Sequence, residues 1–546
     1  MRDASIFALN ARRQLAQELR AHKILSVPRP SALLTYLFVL EAESVRTALF
    51  SPGSRLSTFG AHRQAVESSA HAIPAIFEQC PPEESIPAQV ITPELFNLAH
   101  DFFAFTCQYD QIDYAYKLAD WGHFDISVAK KNPRITFSYA SPQADEADTL
   151  AKAREVQARV SGKRPSLDSR TVSETIEELR AALAPQTRLI RPEYCEYFIT
   201  DGVLSAMRKQ AGIVFQAIPV GMDLNVNVGQ SAFDDFRAFW SALLSFIQTH
   251  TMAHELACGG NVTQFPIQSI VIRKQKSEMI ELLSSIGGLS YRTAEFILGC
   301  YLYDPKVNGR GPVFQPFLPV TGDYVCLSSL LVAGYDFERN FFKLLHRSPV
   351  LLPFAASIDS QKEPIALRHL CSLFSEPDYA TKECVKIPGR TDVDLLVYER
   401  RSGFTLIIQH KWLTAPETPE ESSSNDERLH KGVTQSITAR DYFRSNHKAI
   451  RDALKLSASA PINRVECATV CRGLEGTSFM EPSDVPILME QAFEGLFRHV
   501  DGLEKLWNAL LSRPDKKLAA TKVVDGTMTI QLGEYEFVLP ALGIRG

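Results

Sequence analysis

Apolar residues in the first quarter of the chain recur every three to four positions, the spacing of helices with one buried face. Residues 11–22 form a charged amphipathic stretch. Residues 32–50 (ALLTYLFVLEAESVRTALF), after the breaker Pro28-Arg29-Pro30, are more uniformly apolar. Residues 93–107 open on Pro93 at a first-turn position and carry a stripe of Phe96, Phe102, Phe103 and Phe105. Such stripes pack inward, so core is expected there in preference to a base-stacking surface. The pattern then lapses. Residues 141–184 are polar, charged and poor in aromatics, which predicts two exposed helices broken at Ser161-Gly162.

Between residues 186 and 348 the pattern is mixed. The runs at 213–220 and 224–228 read as strands, and 233–258 as a long buried helix. In residues 278–303 one helix ends at Gly287-Gly288 and Ser290 caps a second, with Tyr291 and Arg292 facing outward. That outline fits a helix-turn-helix whose second helix enters a DNA groove, but two short helices joined by Gly-Gly are more often a plain structural hairpin. Residues 323–328 read as a strand and 336–346 as a helix, before Pro349 and Pro353 mark a seam.

Beyond the seam, residues 362–374 read as a helix. The segment GRTDVDLLVYERRSGFTLIIQHKW (389–412) reads as two apolar strands folded at Arg401-Ser402-Gly403. A helix over 428–445, a strand over 464–471, the run VPILMEQAF and a helix through Leu511 follow. Residues 523–539 read as a hairpin around Gly533. The expected fold is therefore multidomain. It comprises a mostly α N-terminal region (1–140), a charged helical connector (141–185), a mixed α/β middle domain (186–348), a C-terminal α/β domain with a central mixed sheet (349–515) and a β-hairpin tail (516–546).

Composition changes this picture little. The 546 residues are 45% hydrophobic and 22% charged, ordinary for a globular protein. A net charge of −5 gives no global basic field, so nucleic acid would have to be met by a local patch. Ten scattered cysteines without a C-x-x-C pair point to reduced thiols, and with no apolar leader the expectation is cytoplasmic and without a membrane span. One helix offers His250, His254 and Cys258 at i, i+4 and i+8. The outer two are roughly 12 Å apart along the axis, too far to share one zinc ion, so packed residues are expected.

The candidate chemistry lies in 389–412. Alternation puts Gln409 and Lys411 on one face of their strand and His410 on the other. The hairpin brings Asp394 beside them. Asp394 offers a charged oxygen, Gln409 an amide oxygen and His410 its backbone carbonyl, a set suited to a hard cation such as Mg²⁺ or Mn²⁺. Lys411 could then polarise a water or steady a phosphate under attack. A polar triplet after an apolar strand is also common in any α/β protein, and Asp-x-Asp often only caps a turn.

These residues resemble the PD-(D/E)XK nuclease superfamily in the Q-x-K form of Mrr-like restriction endonucleases. The resemblance spans roughly 355–512, with the element order α-β-β-β-α-β-β-α. It implies a restriction-endonuclease-like domain that hydrolyses phosphodiester bonds, with Asp394, Gln409 and His410 at the metal and Lys411 at the water. It further implies that Lys431, Gln435 and Tyr442, on the helix after the lysine strand, face the site. Glu363 on the first helix would assist the metal, with Glu376 the second choice. A nucleic-acid substrate, DNA ahead of RNA, and a role in phage defence follow from the same resemblance, with a protein partner for the N-terminal helices. Gln409 in place of an acid removes one negative charge, which leaves open a weakened enzyme or a binding module that keeps the fold.

Overall fold

The computed structural model describes residues 2–50, 55–82, 91–129, 133–142, 169–191, 194–218, 227–259, 266, 269–308, 314–413, 419–472, 485–512 and 523–544. It is multidomain, with helices and several mixed sheets. Four helices build the N-terminal region: α1 (Arg2–Arg20), α2 (Arg29–Phe50), α3 (Arg55–Gln79) and α4 (Pro93–Asp120). Thr92 caps α4 by accepting a hydrogen bond from the Leu95 N–H. Phe102 is fully buried and Phe96, Phe103 and Phe105 pack around the same core, so the aromatic stripe is structural. A hairpin of β1 (Phe124–Ala129) and β2 (Arg134–Tyr139) follows.

Most of the expected connector, residues 143–168, lies outside the described residues. Its end, α5 (Ser169–Leu183), is not an exposed arm, because Leu179 and Leu183 are fully buried against the middle domain. After β3 (Thr187–Arg191) and β4 (Tyr194–Tyr197) comes α6 (Asp201–Ala217). A strand was expected from 213, and residues 213–217 are helical instead. Val203, Ala206, Met207 and Ala211 continue a helical stripe that packs on α7, so the turn-by-turn burial outweighs the β-branched pair Ile213-Val214. Of the second expected strand, 224–226 lie outside the described residues. Asn227–Val228 (β5) pairs with Ser231–Ala232 (β6). Next is α7 (Phe233–Ala257), its core side made by Phe233, Phe236, Phe239, Trp240 and Phe246. A small sheet of β7 (Ile272–Gln275), β8 (Leu318–Pro319) and β9 (Tyr324–Leu327) completes the middle domain. Its helices are α8 (Lys276–Gly287), α9 (Tyr291–Tyr301), α10 (Pro305–Asn308), α11 (Ser329–Ala333) and α12 (Phe337–Arg347). Gly288 ends α8 at φ +67, and the Ser290 hydroxyl accepts from the Thr293 N–H at the start of α9.

The C-terminal unit is a five-stranded sheet between two layers of helices. Its elements run α13 (Leu352–Ser372), β10 (Tyr379–Ile387), β11 (Thr391–Glu399), β12 (Phe404–Trp412), α14 (Pro419–Ser445), α15 (His447–Leu454), β13 (Arg464–Arg472), β14 (Ile487–Met489), α16 (Glu490–His499) and α17 (Leu503–Ser512). The spatial order is β10-β11-β12-β13-β14, antiparallel across the first two pairings and parallel across the last two. Gly403 holds φ +71 in the β11–β12 turn, a left-handed conformation that glycine takes without a Cβ clash. One face of the sheet, with Leu396, Ile407 and Cys467, is covered by Leu429, Val433, Phe443 and Ile450 of α14 and α15. The other, with Leu406, Ile408 and Val470, is covered by Leu367, Phe493, Leu506 and Trp507 of α13, α16 and α17. Burial on both faces is why β11 and β12 carry the unbroken apolar runs 395–398 and 406–408.

The tail hairpin, β15 (Val523–Leu532) and β16 (Tyr535–Ile544), does not extend this sheet. It joins the N-terminal hairpin, with β16 lying parallel to β2 through Glu536↔Arg134 to Val538↔Thr136. No helix among the described residues is long and apolar enough to cross a membrane.

Candidate active site

The site forms where two strands part. β11 and β12 are paired from Glu399↔Phe404 to Leu395↔Ile408, and the ladder stops there. Asp394 and Gln409 occupy the next positions. The His410 N–H donates to Asp394 Oδ2 at 2.7 Å instead of to a β11 carbonyl. In an antiparallel pair the N–H and C=O of one residue face the same neighbour, so the His410 carbonyl opens toward the same gap. Lys411 Nζ lies 4.0 Å from Asp394 Oδ2.

The stem of Lys411 runs beneath α14 at Gly432. A Cβ on Gly432 would sit 2.9 Å from Lys411 Cε and 3.2 Å from Thr469 Cγ2. Lys411 is thus on the α14 side of the sheet, and alternation places Gln409 there too. The His410 ring goes to the opposite face, its Nε2 2.9 Å from Glu490 Oε1 at the start of α16. Burial works against the charge of Glu490, and the contact with His410 nevertheless holds its carboxyl below the ordinary value. The middle residue of the triplet therefore anchors the strand end, while its neighbours face the gap.

Asp394 and Gln409 are 4% and 1% exposed, and Lys411 is partly open to solvent. Gln409 Oε1 is buried without a hydrogen-bond partner, and so is Gln435 Oε1 on α14. A buried acceptor left unpaired costs about 1–3 kcal/mol, so the Gln409 oxygen marks a place suited to a donor or a cation. Burial pushes the Asp394 carboxyl up to about 6; Lys411 and the His410 N–H pull it back, and Glu363 pushes the same way as burial. Burial lowers the Lys411 ammonium, against the carboxylates of Asp394, Glu363 and Asp392, while Lys431 reinforces the lowering. Glu363, Asp392 and Lys431 are exposed around this lysine.

Sequence reasoning placed most of these residues together. Glu376 does not join them. It precedes Tyr379, which pairs with Glu399, and five residues of strand put it roughly 17 Å from Asp394. Tyr442 is partly buried at the edge of the core under α14 and α15, its hydroxyl accepting from Asn446 Nδ2 at 3.1 Å, with the Arg390 guanidinium 5.8 Å from its ring. Two residues were missed. Gly432 had a signal, a glycine inside a helix where Ala would be about 1 kcal/mol better. Glu490 had none, since only the fold brings it to His410. Among the described residues no three His, Cys, Asp or Glu side chains are grouped closely enough to hold a metal ion. The oxygen donors available are Asp394, the unpaired Gln409 amide and the His410 carbonyl, with Glu363 at the rim. That set fits Mg²⁺, which binds through one or two carboxylates and keeps several waters.

The other candidates are occupied internally. His250 Nε2 lies 2.9 Å from the Ile270 carbonyl and Nδ1 3.0 Å from the Tyr197 hydroxyl. His254 lies 2.8 Å from the His250 carbonyl and 2.9 Å from Ser269 Oγ, and Cys258 Sγ donates to the Glu255 carbonyl. Tyr291 and Arg292 are exposed at the start of α9. No family model matches the chain, and no curated protein or solved structure matches it.

Proposed function

We propose that this chain is a metal-dependent nuclease that hydrolyses phosphodiester bonds, with DNA favoured over RNA, and that residues 349–515 are its restriction-endonuclease-like catalytic domain. The observation that carries the reading is the gap between β11 and β12, where a carboxylate, an unpaired amide oxygen and an ammonium converge. Asp394, Gln409 and the His410 carbonyl would hold Mg²⁺ or Mn²⁺, with Glu363 assisting. A divalent ion bound there supplies Lewis acidity and offsets phosphate charge. Asp394 must be ionised to serve; burial opposes that ionisation, while Lys411 and the His410 N–H favour it, as a bound cation would. Lys411 meets the negative charge that develops on a non-bridging phosphate oxygen or orients the attacking water. Gln435 supports that water or the phosphate from α14. Water attacks phosphorus and the P–O ester bond breaks, leaving a phosphate monoester and a free hydroxyl. The test is purified protein with DNA and RNA, Mg²⁺ or Mn²⁺, and the Asp394→Ala and Lys411→Ala variants. Cleavage that persists in both variants would sink the proposal.

A second reading is a nuclease-fold binding module without catalysis. Gln409 standing where an acid would hold the metal more tightly favours it. Retained nucleic-acid binding with no cutting under either metal would select this reading.

A further inference from the structure

A cleft of about 650 Å³ lies between α1, α3 and α4 on one side and α12 with the first turns of α14 on the other. That volume falls within the range of small-molecule and cofactor sites. Its two walls differ in charge. On the α1–α4 wall the ions neutralise one another: Arg12 pairs with Asp113 and Asp120 at 3.1 and 2.7 Å, and Lys117 with Asp113 at 3.0 Å. On the α12 wall, Arg339, Lys343 and Arg347 recur at i, i+4 and i+8, so they stack along one helix face. The lining carboxylate beside them is Glu421 of α14. Arg339 Nη2 reaches its two oxygens at 3.2 and 3.1 Å, and Lys343 contacts the same carboxylate. Arg347 is exposed; it donates to the Asn308 carbonyl at 2.6 Å and its guanidinium lies 5.6 Å from the Phe314 ring. Over the whole lining six Lys and Arg side chains face four carboxylates. Tyr109, Trp121 and Phe314 add flat apolar faces.

We propose that this cleft binds a phosphorylated small molecule of nucleotide size, whose phosphates replace Glu421 between Arg339 and Lys343 and extend to Arg347. Guanidinium and ammonium groups already drawn to one carboxylate are arranged for phosphate oxygens, which carry more charge and accept from several donors at once. The aromatic side chains give the rest of the ligand a surface to lie against. Glu421 stands near the start of α14, the helix that carries Gly432 over Lys411. Displacing Glu421 frees the first turns of that helix. Control of cleavage through α14 rests on the nuclease reading; binding in the cleft does not.

The test is calorimetric titration of the full chain with ATP, AMP and inorganic pyrophosphate, repeated in the Asp394→Ala protein. Saturable binding of ATP is expected, tighter than AMP and unchanged by Asp394→Ala. Arg347→Glu, at an exposed head group, should weaken it at least tenfold. Glu421→Gln, which removes only the competing charge, should strengthen it severalfold and decides the matter should Arg347→Glu fail to fold. No saturable heat with any of the three probes, or equal affinity in the charge variants, overturns the proposal. A chain that binds ATP but never cuts nucleic acid would refute the nuclease reading and leave the cleft standing.

Discussion

Two sets of polar residues in this chain invite a metal or catalytic reading, and the fold treats them in opposite ways. His250 and His254 sit inside α7, and each of their ring nitrogens has a hydrogen-bond partner in the surrounding chain. Asp394, Gln409 and Lys411 sit where two strands diverge, and there a carboxyl is pushed toward neutrality and an amide oxygen is left unpaired. Burial alone does not separate the two sets, since both are largely inside. Satisfaction does. A buried polar group that has its partners serves stability, and one that lacks them holds a cost that an incoming ligand can relieve.

The largest effect expected from this contrast is catalytic. Lys411→Ala and Asp394→Ala should each lower the cleavage rate by about 10²–10⁴-fold, the range for losing a charged stabiliser or ligand at the reacting centre. Binding of the nucleic acid, followed at low salt, should fall far less. His254→Ala should do the reverse. It should cost stability by about 2–4 kcal/mol through lost packing and hydrogen bonds, seen as a lower urea midpoint. The rise in melting temperature with added Mg²⁺ should stay as in the parent. A loss of that rise would put the metal in α7 and break the comparison.

Asp394→Asn tests the idea that the gap is unstable by construction. The folded carboxyl titrates at about 6, above its ordinary 3.8. A raised acid favours folding most when protonated. Its contribution is therefore complete below about pH 4 and is lost as pH rises through 6. Asparagine mimics the protonated form at every pH. With chelator present, the variant should be more stable than the parent at pH 8 by on the order of 1–3 kcal/mol, and the gain should vanish near pH 4. On the proposed nuclease reading the parent's cleavage rate should climb with pH as this carboxylate ionises, with a midpoint below that of the metal-free protein because a bound cation favours the charged form. Urea midpoints and rates across pH 4 to 8 read both effects, and a gain that persists at pH 4 would mean the charge is not its source.

Gln409→Glu sharpens the same point by restoring the missing acid. A second carboxylate beside Asp394 should lower stability without metal through like-charge repulsion. It should also make the melting temperature depend more steeply on Mg²⁺, because each added ligand charge tightens a hard-cation site. A variant no more responsive to Mg²⁺ than the parent would place the Gln409 side chain off the metal.

How much of this was legible in the chain depended on whether the signal was local. The β11–β12 hairpin was readable because the turn at Gly403 and the apolar runs beside it lie within two dozen residues, and strand alternation then separated His410 from Gln409 and Lys411. The helix at 213–217 was misread because Ile213 and Val214 look β-forming by themselves, while the stripe that makes them helical begins at Val203. Glu490 opposite His410, and β16 beside β2, join positions 80 and about 400 residues apart. No periodicity spans such separations. The charged cleft was unreadable for the same reason, since Arg12, Tyr109, Arg347 and Glu421 meet only after four segments have packed.

The smallest effect expected concerns Gly432, and it separates the position of Lys411 from its charge. Alanine at this helix position would gain about 1 kcal/mol of intrinsic helix preference. Its methyl would also come within 2.9 Å of Lys411 Cε, 3.2 Å of Lys411 Cγ and 3.2 Å of Thr469 Cγ2. The lysine end can shift and Thr469, on β13, has less freedom, so the two effects on stability should nearly cancel. The ammonium, however, must leave its place 4.0 Å from Asp394. Gly432→Ala should therefore leave the melting temperature within a few degrees of the parent while lowering kcat about tenfold, with little change in KM. An unaltered kcat would show that the lysine works from any nearby position, and the tight approach of α14 to β12 would then be packing alone.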